Sequence, residues 1–258
     1  YEAYTTNERN LTGKAEIAEG LTTSSASKRM EDITFSEATG QGSYVYTPEA
    51  EGQTKTEFTS QINSQNVAEY VDDHVEKTIG VYTFTKDTTI KHSEFQGAIR
   101  GDKDPVTVNA EGKTLTIESS LVGMGALTGI YHYGTGFASS EPSGDLNIST
   151  ATLNLNIKGK GGRTFAIFNA GNGLLRIKGQ TNIDISGGND EGDEVSGIEA
   201  ISKGTTILEG LTIRQAKSTD DHRAINNKGL SSKIYVNVDE AGNVGDRKST
   251  RLNSSHGS

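Results

Sequence analysis

Four acidic side chains crowd one short stretch, Gly187-Gly-Asn-Asp-Glu-Gly-Asp-Glu194. Carboxylate oxygens at this spacing can ligate Ca²⁺, and Gly-Gly-Asn-Asp matches one piece of a Ca²⁺-binding nonapeptide repeat. That chemistry sandwiches each ion between tandem copies, and this sequence holds one. A solvated turn is therefore expected, with Asp190, Glu191, Asp193 and Glu194 kept only as a weak Ca²⁺ candidate. No other metal and no cofactor is expected. His74, His92, His132 and His222 lie far apart, and no Gly-Asp-Ser-Gly nucleophile motif accompanies them. A triad can assemble from distant positions. His132 and His222, however, flank small-Ile elements at positions read as surface-facing, so no catalytic residue is assigned. Arg100-Gly-Asp102 has the form of an integrin-binding tripeptide, but in Gly97-Ala-Ile-Arg-Gly-Asp-Lys-Asp-Pro105 it reads as a charged β-turn between strands.

The elements that would carry these side chains show up as a repeat. A small-Ile-x-x-x-(x)-Gly element occurs at Gly129-Ile130 to Gly134, Ala166-Ile167 to Gly171, Gly197-Ile198 to Gly204 and Ala224-Ile225 to Gly229, its isoleucines 37, 31 and 27 residues apart. Alternating strands follow: Leu174-Leu-Arg-Ile-Lys-Gly179 with Thr181-Asn-Ile-Asp-Ile-Ser186, then Thr206-Ile-Leu-Glu-Gly210 with Leu211-Thr-Ile-Arg214, then Lys233-Ile-Tyr-Val-Asn-Val238. Upstream, Val106-Thr-Val108, Thr114-Leu-Thr-Ile117 and Leu153-Asn-Leu-Asn-Ile157 share the pattern. A period of two marks strands with one buried face. Equivalent strands are too far apart for tight hairpins and no helical segment intervenes, so the fold class is all-β, a right-handed parallel β-helix. Ile130, Ile167, Ile198 and Ile225 are expected to form an internal ladder at about 4.8 Å per coil. The glycines after them are expected at corners of positive φ.

Composition agrees with a narrow repetitive core: 32% apolar and 6% aromatic residues, no Trp, 31 Gly and 3 Pro. The net charge of −9, with basic residues scattered, argues against a nucleic-acid surface. Without cysteine there is no disulfide, thiol catalysis or thiolate metal site. No apolar run is long enough for a membrane-spanning helix. Residues 1–80 are rich in Ser, Thr, Glu and Gly and read as an irregular or capping N-terminal region. Within them, Asn66–Ile79 sets Val67, Tyr70, Val71, Val75 and Ile79 on one helical face, a helix suited to capping the solenoid. Residues 81–245 form the β-helix. Residues 246–258 read as a disordered tail: Asp246 to His256 resembles the in-frame translation of a sequencing-library adapter, which implies a reading frame cut short. The chain starts at Tyr1 with no charged-then-apolar leader, so any signal peptide was cleaved or lies outside this stretch.

On the repeat residues, above all Gly129-Ile-Tyr131 and Gly173-Leu-Leu-Arg-Ile-Lys-Gly-Gln-Thr-Asn-Ile-Asp-Ile-Ser-Gly187, the stretch from about Tyr82 to Asn243 resembles autotransporter passengers of the adhesin type. The resemblance implies a bacterial cell-surface or secreted protein, preceded by a signal peptide and attached to the outer membrane only through a C-terminal barrel that the sequence lacks. In such a source the sequons Asn10-Leu-Thr12 and Asn147-Ile-Ser149 stay unmodified by the eukaryotic route. It points to a monomeric, non-catalytic adhesion or display module whose partner is a host-surface protein or glycan. Two alternatives stay open. One is a polysaccharide-degrading β-helix, which requires three carboxylates, or a carboxylate pair with Arg, on one exposed sheet within about 6 Å. The other is a stalk that binds nothing.

Overall fold

The computed structural model describes residues 57–64, 80–121, 125–134, 143–187, 193–215, 222–229 and 231–237, together with the backbone of three short strands at 11–13, 16–17 and 45–46. Every regular element among them is a β-strand. In chain order these are β1 (Leu11–Gly13), β2 (Glu16–Ile17), β3 (Val45–Tyr46), β4 (Glu57–Phe58), β5 (Val81–Phe84), β6 (Thr88–Lys91), β7 (Ile99–Asp102), β8 (Val106–Ser120), β9 (Leu127–Gly134), β10 (Leu146–Lys158), β11 (Arg163–Asn169), β12 (Leu174–Ser186), β13 (Glu194–Ala200), β14 (Thr205–Gln215), β15 (His222–Asn227) and β16 (Lys233–Val236). The helix expected over 66–79 and the tail from 246 lie outside the described residues.

The strands form two sheets. The smaller runs β15-β13-β11-β9-β7; the larger runs β1-β16-β14-β12-β10-β8-β5-β3, with β2, β4 and β6 joining at its ends. All pairs between named strands are parallel, so each coil lays one strand on each sheet and the next coil stacks above it. This is a parallel β-helix. Alternation explains the pattern, because every second residue of β8, β10 and β12 falls into one shared interior.

The isoleucine column is longer than the repeat suggested. Ile130 registers with Ile167, Ile167 with Ile198 and Ile198 with Ile225; Ile99 and Ile62 extend the column by two coils. All six are fully buried. Across the interior stand Ile90, Ile117, Leu155, Ile183 and Ile213, also in register, and the column Val108, Ile148, Ile177, Leu208 and Val236 completes the third side. Burial of each such side chain stabilises by roughly 1.5–3 kcal/mol. A coil shields this surface only when its neighbours are present, so stability accumulates through the stack.

The long strands bend where their register slips, between Ser149 and Thr152 and between Ile177 and Gln180. Gly179 sits at one bend with φ of 90°, and a Cβ there would lie 2.1 Å from the Thr150 carbonyl oxygen. The glycines that follow the ladder have another cause than the expected one. Gly171, Gly204 and Gly229 do not belong to the positive-φ set. Each instead meets the backbone of the coil beneath, where a Cβ would come within 2.6 Å of Tyr133 O, 2.6 Å of Gly171 O and 2.5 Å of Ser202 O respectively. Close stacking, and not corner geometry, excludes side chains there.

Candidate functional site: a polar groove across the coils

Beyond their bends, β8, β10, β12 and β14 alternate aliphatic residues inward with polar residues outward, so each outward position becomes a column running along the solenoid. One column carries Thr89, Thr116, Asn154, Asn182 and Thr212. Its members satisfy one another: Asn182 Nδ2 donates to Asn154 Oδ1 at 3.1 Å, and Gln180 Nε2 donates to Asn182 Oδ1 at 3.1 Å and Thr212 Oγ1 at 3.3 Å. Two residues further along each strand stand Lys91, Glu118, Asn156, Asp184 and Arg214, again in register. The charges along this column run positive, negative, neutral, negative, positive.

A groove of about 640 Å³ opens over the second column, lined by Lys91, Glu118, Asn156, Lys158 and Asp184 together with His92 and the serines 93, 119 and 120. Its two ends differ. At one, Lys91 Nζ pairs with Glu57 at 2.7 Å, a contact that holds the ammonium above its ordinary pKa. His92 Nε2 lies 3.0 Å from Glu94 Oε2, and the Ser119 hydroxyl donates to the His92 carbonyl at 2.6 Å. Toward the middle, the side chains of Glu118, Asn156, Lys158 and Asp184 make no hydrogen bond or close ion pair within the described residues, Glu118 acting on Lys91 only through its charge, and all but Asn156 are exposed. Donors and acceptors are thus presented at steps of about 4.8 Å on a rigid floor. Such a row suits a hydroxyl-rich ligand lying along the solenoid axis.

The residues singled out from sequence are dispersed. Asp190 and Glu191 lie outside the described residues. Asp193 Oδ1 accepts the Gly162 N–H at 2.9 Å, and Glu194 pairs with Arg163 at 3.2 Å and Lys228 at 3.4 Å, so both carboxylates tie one coil to the next. No group of three or more metal-capable side chains occurs among the described residues.

His74 lies outside the described residues; His222 begins β15. His132 corrects the surface-facing expectation, because it is fully buried. Its position two residues after Ile130 points it to the same side of the strand as the ladder. Its Nε2–H donates to the Gly144 carbonyl at 2.6 Å, and Nδ1 lies 3.2 Å from Asn169 Oδ1. Burial pushes the imidazole pKa down, against the pull of these two acceptors. Arg100-Gly-Asp102 is likewise not a turn but strand β7. Ser64 Oγ donates to Asp102 at 2.8 Å, Arg100 donates to Gln96, and a Cβ on Gly101 would lie 2.4 Å from His132 Cδ2, so the tripeptide is built into the sheet. Of the two sequons, Asn147 lies on β10 and is half-buried, while Asn10 lies outside the described residues.

The outer face of the smaller sheet carries an aromatic cluster that the repeat did not reveal: Tyr131, Phe165 and Phe168, with Phe95 and Tyr133 at its margin. Tyr131 stacks on Tyr133 at 5.6 Å and meets Phe168 edge-on at 5.4 Å. Burial pushes the Tyr131 phenol up to about 12. Beside it, Glu199 is buried and accepts from Ser196 Oγ at 2.8 Å and Asn226 Nδ2 at 3.2 Å while pairing with Lys228 at 3.2 Å; burial pushes its carboxyl up. The groove residues were likewise missed, although a signal existed. Aligning Ile117, Leu155, Ile183 and Ile213 puts Glu118, Asn156, Asp184 and Arg214 in one row.

Comparison of the chain with protein-family models, curated proteins and solved structures gave no match.

Proposed function

We propose that this chain is the β-helical passenger region of an exported bacterial surface protein of the autotransporter kind, and that it acts in adhesion by holding an extended glycan along the groove over Glu118, Asn156 and Asp184. The observation that carries this reading is the in-register row of Glu118, Asn156 and Asp184, whose side chains make no hydrogen bond or close ion pair among the described residues. One coil advances the backbone by close to the length of one pyranose residue, so successive sugars meet equivalent positions. Among the described residues no Phe, Tyr or Trp lines the groove, so in this reading recognition rests on hydrogen bonding.

The spacing of the carboxylates favours binding over cleavage. Glu118 and Asp184 are two strand steps apart with Asn156 between them, about 9–10 Å by backbone spacing, wider than the 6 Å cluster a degrading enzyme was expected to show. The same distance nevertheless borders the range used by inverting glycosidases, which makes hydrolysis the second reading.

Both are tested by one set of measurements. The purified chain of residues 1–258 is screened against immobilised bacterial and host polysaccharides, and retained ones are titrated against wild type and the Asn156→Ala/Asp184→Ala variant. Glycan adhesion expects retention that weakens at least about tenfold in the variant, with no new reducing ends. Release of reducing ends that disappears in Asp184→Asn identifies an enzyme instead. Retention by no polysaccharide, or equal binding by the variant, overturns the groove assignment; cell attachment that survives glycosidase treatment transfers the role to a protein ligand.

A further inference from the structure

Along the groove the outward charges change sign at every coil. Glu57 on β4, Lys91 on β6, Glu118 on β8, Asp184 on β12 and Arg214 on β14 supply five of the coils, and β10 lies between the two central acids. In the column itself β10 presents the neutral Asn156. Lys158, however, stands two residues further along the same strand and on the same outward side. It registers with Ser120 and Ser186, small hydroxyl residues that bring no charge of their own. Lys158 is thus the one charged residue of β10, and counted by coil the signs run negative, positive, negative, positive, negative, positive.

Two observations make this alternation a recognition feature. First, the charges stay open. On the smaller sheet Glu194 meets Arg163 at 3.2 Å and Lys228 at 3.4 Å, and Lys228 meets Glu199 at 3.2 Å, so charges of neighbouring coils are joined there. On the groove side Lys91 closes onto Glu57 at 2.7 Å. The side chains of Glu118, Lys158, Asp184 and Arg214 are instead exposed and make no hydrogen bond or close ion pair among the described residues. Opposite signs on adjacent strands avoid like-charge repulsion within the stack, which accounts for the alternation but not for four charges left unpaired. Second, the period is set by the backbone. Signs repeat every second coil, about 9–10 Å. A pyranose chain with opposite charges on alternate sugars repeats over one disaccharide, close to that length. A peptide strand shows one face every second residue, about 6.8 Å, so alternating charges on it repeat at about 13–14 Å and fall out of step.

We propose that the ligand of the groove is a zwitterionic polysaccharide with an amine and a carboxylate on alternate sugars. Its ammonium groups face Glu118 and Asp184, and its carboxylates face Lys158 and, at the next coil, Arg214. This rests on the glycan reading of the groove and specifies its chemistry. A polymer of one sign meets a like charge at every second coil, whereas the zwitterion meets opposite charges throughout. Each exposed pair is weak, so the pattern acts through several pairs in series and through rejection of the wrong polymer.

Polysaccharides that share one backbone test it. Hyaluronan carries carboxylates alone, its de-N-acetylated form alternates glucosamine with glucuronate, and the carboxyl-reduced product of that form carries amines alone. De-N-acetylated heparosan supplies the same alternation in another linkage. The purified chain of residues 1–258 is titrated with each by calorimetry, at a pH where the sugar amines are protonated. At least one zwitterion is expected to bind about tenfold or more tightly than either single-sign form. That affinity should fall between about 0.01 and 0.15 M salt, as the screening length shortens from about 30 to 8 Å. Glu118→Lys/Asp184→Lys is expected to transfer the preference to hyaluronan, and Lys158→Glu/Arg214→Glu to the carboxyl-reduced polymer. All four side chains are exposed, and the comparison of ligands on wild type decides the matter even where a variant fails to fold. Zwitterions that bind no more tightly than the single-sign forms overturn the inference. So does a neutral polysaccharide held equally by wild type and both charge-reversed variants, a result that leaves glycan binding by the groove standing. Binding of no polysaccharide, charged or neutral, removes both readings, and preference for an alternating Lys-Glu peptide replaces the glycan with a protein partner.

Discussion

Shortening Ile167 to Ala tests the shared aliphatic column most directly. Ile167 is fully buried between Ile130 and Ile198, with strands on both sides of its own. Removing three carbons there leaves a void that neither adjoining coil can fill without breaking its own register, which places the loss at about 2–5 kcal/mol; Ile167→Val should lose about 0.5–1.5 kcal/mol. Urea titration followed by far-UV circular dichroism measures both. The sharper check is coupling. Ile130→Val with Ile167→Val alters side chains one coil apart, and their losses should differ from the sum by about 0.5 kcal/mol or more. Ile62→Val with Ile225→Val alters the two ends of the column, about 24 Å apart by strand spacing, and those losses should add. Loss of less than about 1 kcal/mol for Ile167→Ala, or equal coupling in the two cycles, refutes a continuous column.

Gly112→Ala and Gly179→Ala separate backbone strain from collision. Both glycines have positive φ, but a Cβ at Gly112 meets nothing within 4 Å whereas one at Gly179 comes to 2.1 Å from backbone oxygen. The first should destabilise by about 1–3 kcal/mol in a urea titration and the second by clearly more; equal losses contradict the bend geometry. His132 sets a pH dependence. Its folded pKa lies below the ordinary 6.5, so between the two values the unfolded chain binds the extra proton and stability falls as pH drops below about 6.5. The urea midpoint should decline over that interval in wild type and decline less in His132→Asn; identical slopes argue that the ring is not buried neutral.

The sequence disclosed the fold wherever an apolar residue recurred with a glycine behind it. Ile130, Ile167, Ile198 and Ile225 announce their coils in this way. Ile99 and Ile62 do not, because Ile99 is followed by Arg-Gly-Asp and Ile62 stands in Gln-Ile-Asn with no glycine nearby, and only pairing reveals that both continue the column. The groove was hidden for a related reason. Glu118, Asn156 and Asp184 are separated by 38 and 28 residues, and connections of unequal length between coils erase any fixed period. His132 shows the limit of reading a motif in place of a strand. Treated as the tail of a Gly-Ile-Tyr element it looked external, while simple alternation from Ile130 puts it inside. Density of carboxylates stood out in the sequence, yet Asp193 and Glu194 serve the neighbouring coils.

Because Ile130, Ile167 and Ile198 occupy equivalent positions in successive coils, excision of residues 167–197 would remove one coil, β12 included, and bring Ile198 onto Ile130 and β14 onto β10 in matching register. Unequal crossing-over between such units changes the length of the rod in whole increments and leaves its cross-section intact. A lineage can therefore adjust how far this structure reaches, and how many coils its groove crosses, by genetic duplication or loss alone, with no new side chain having to evolve.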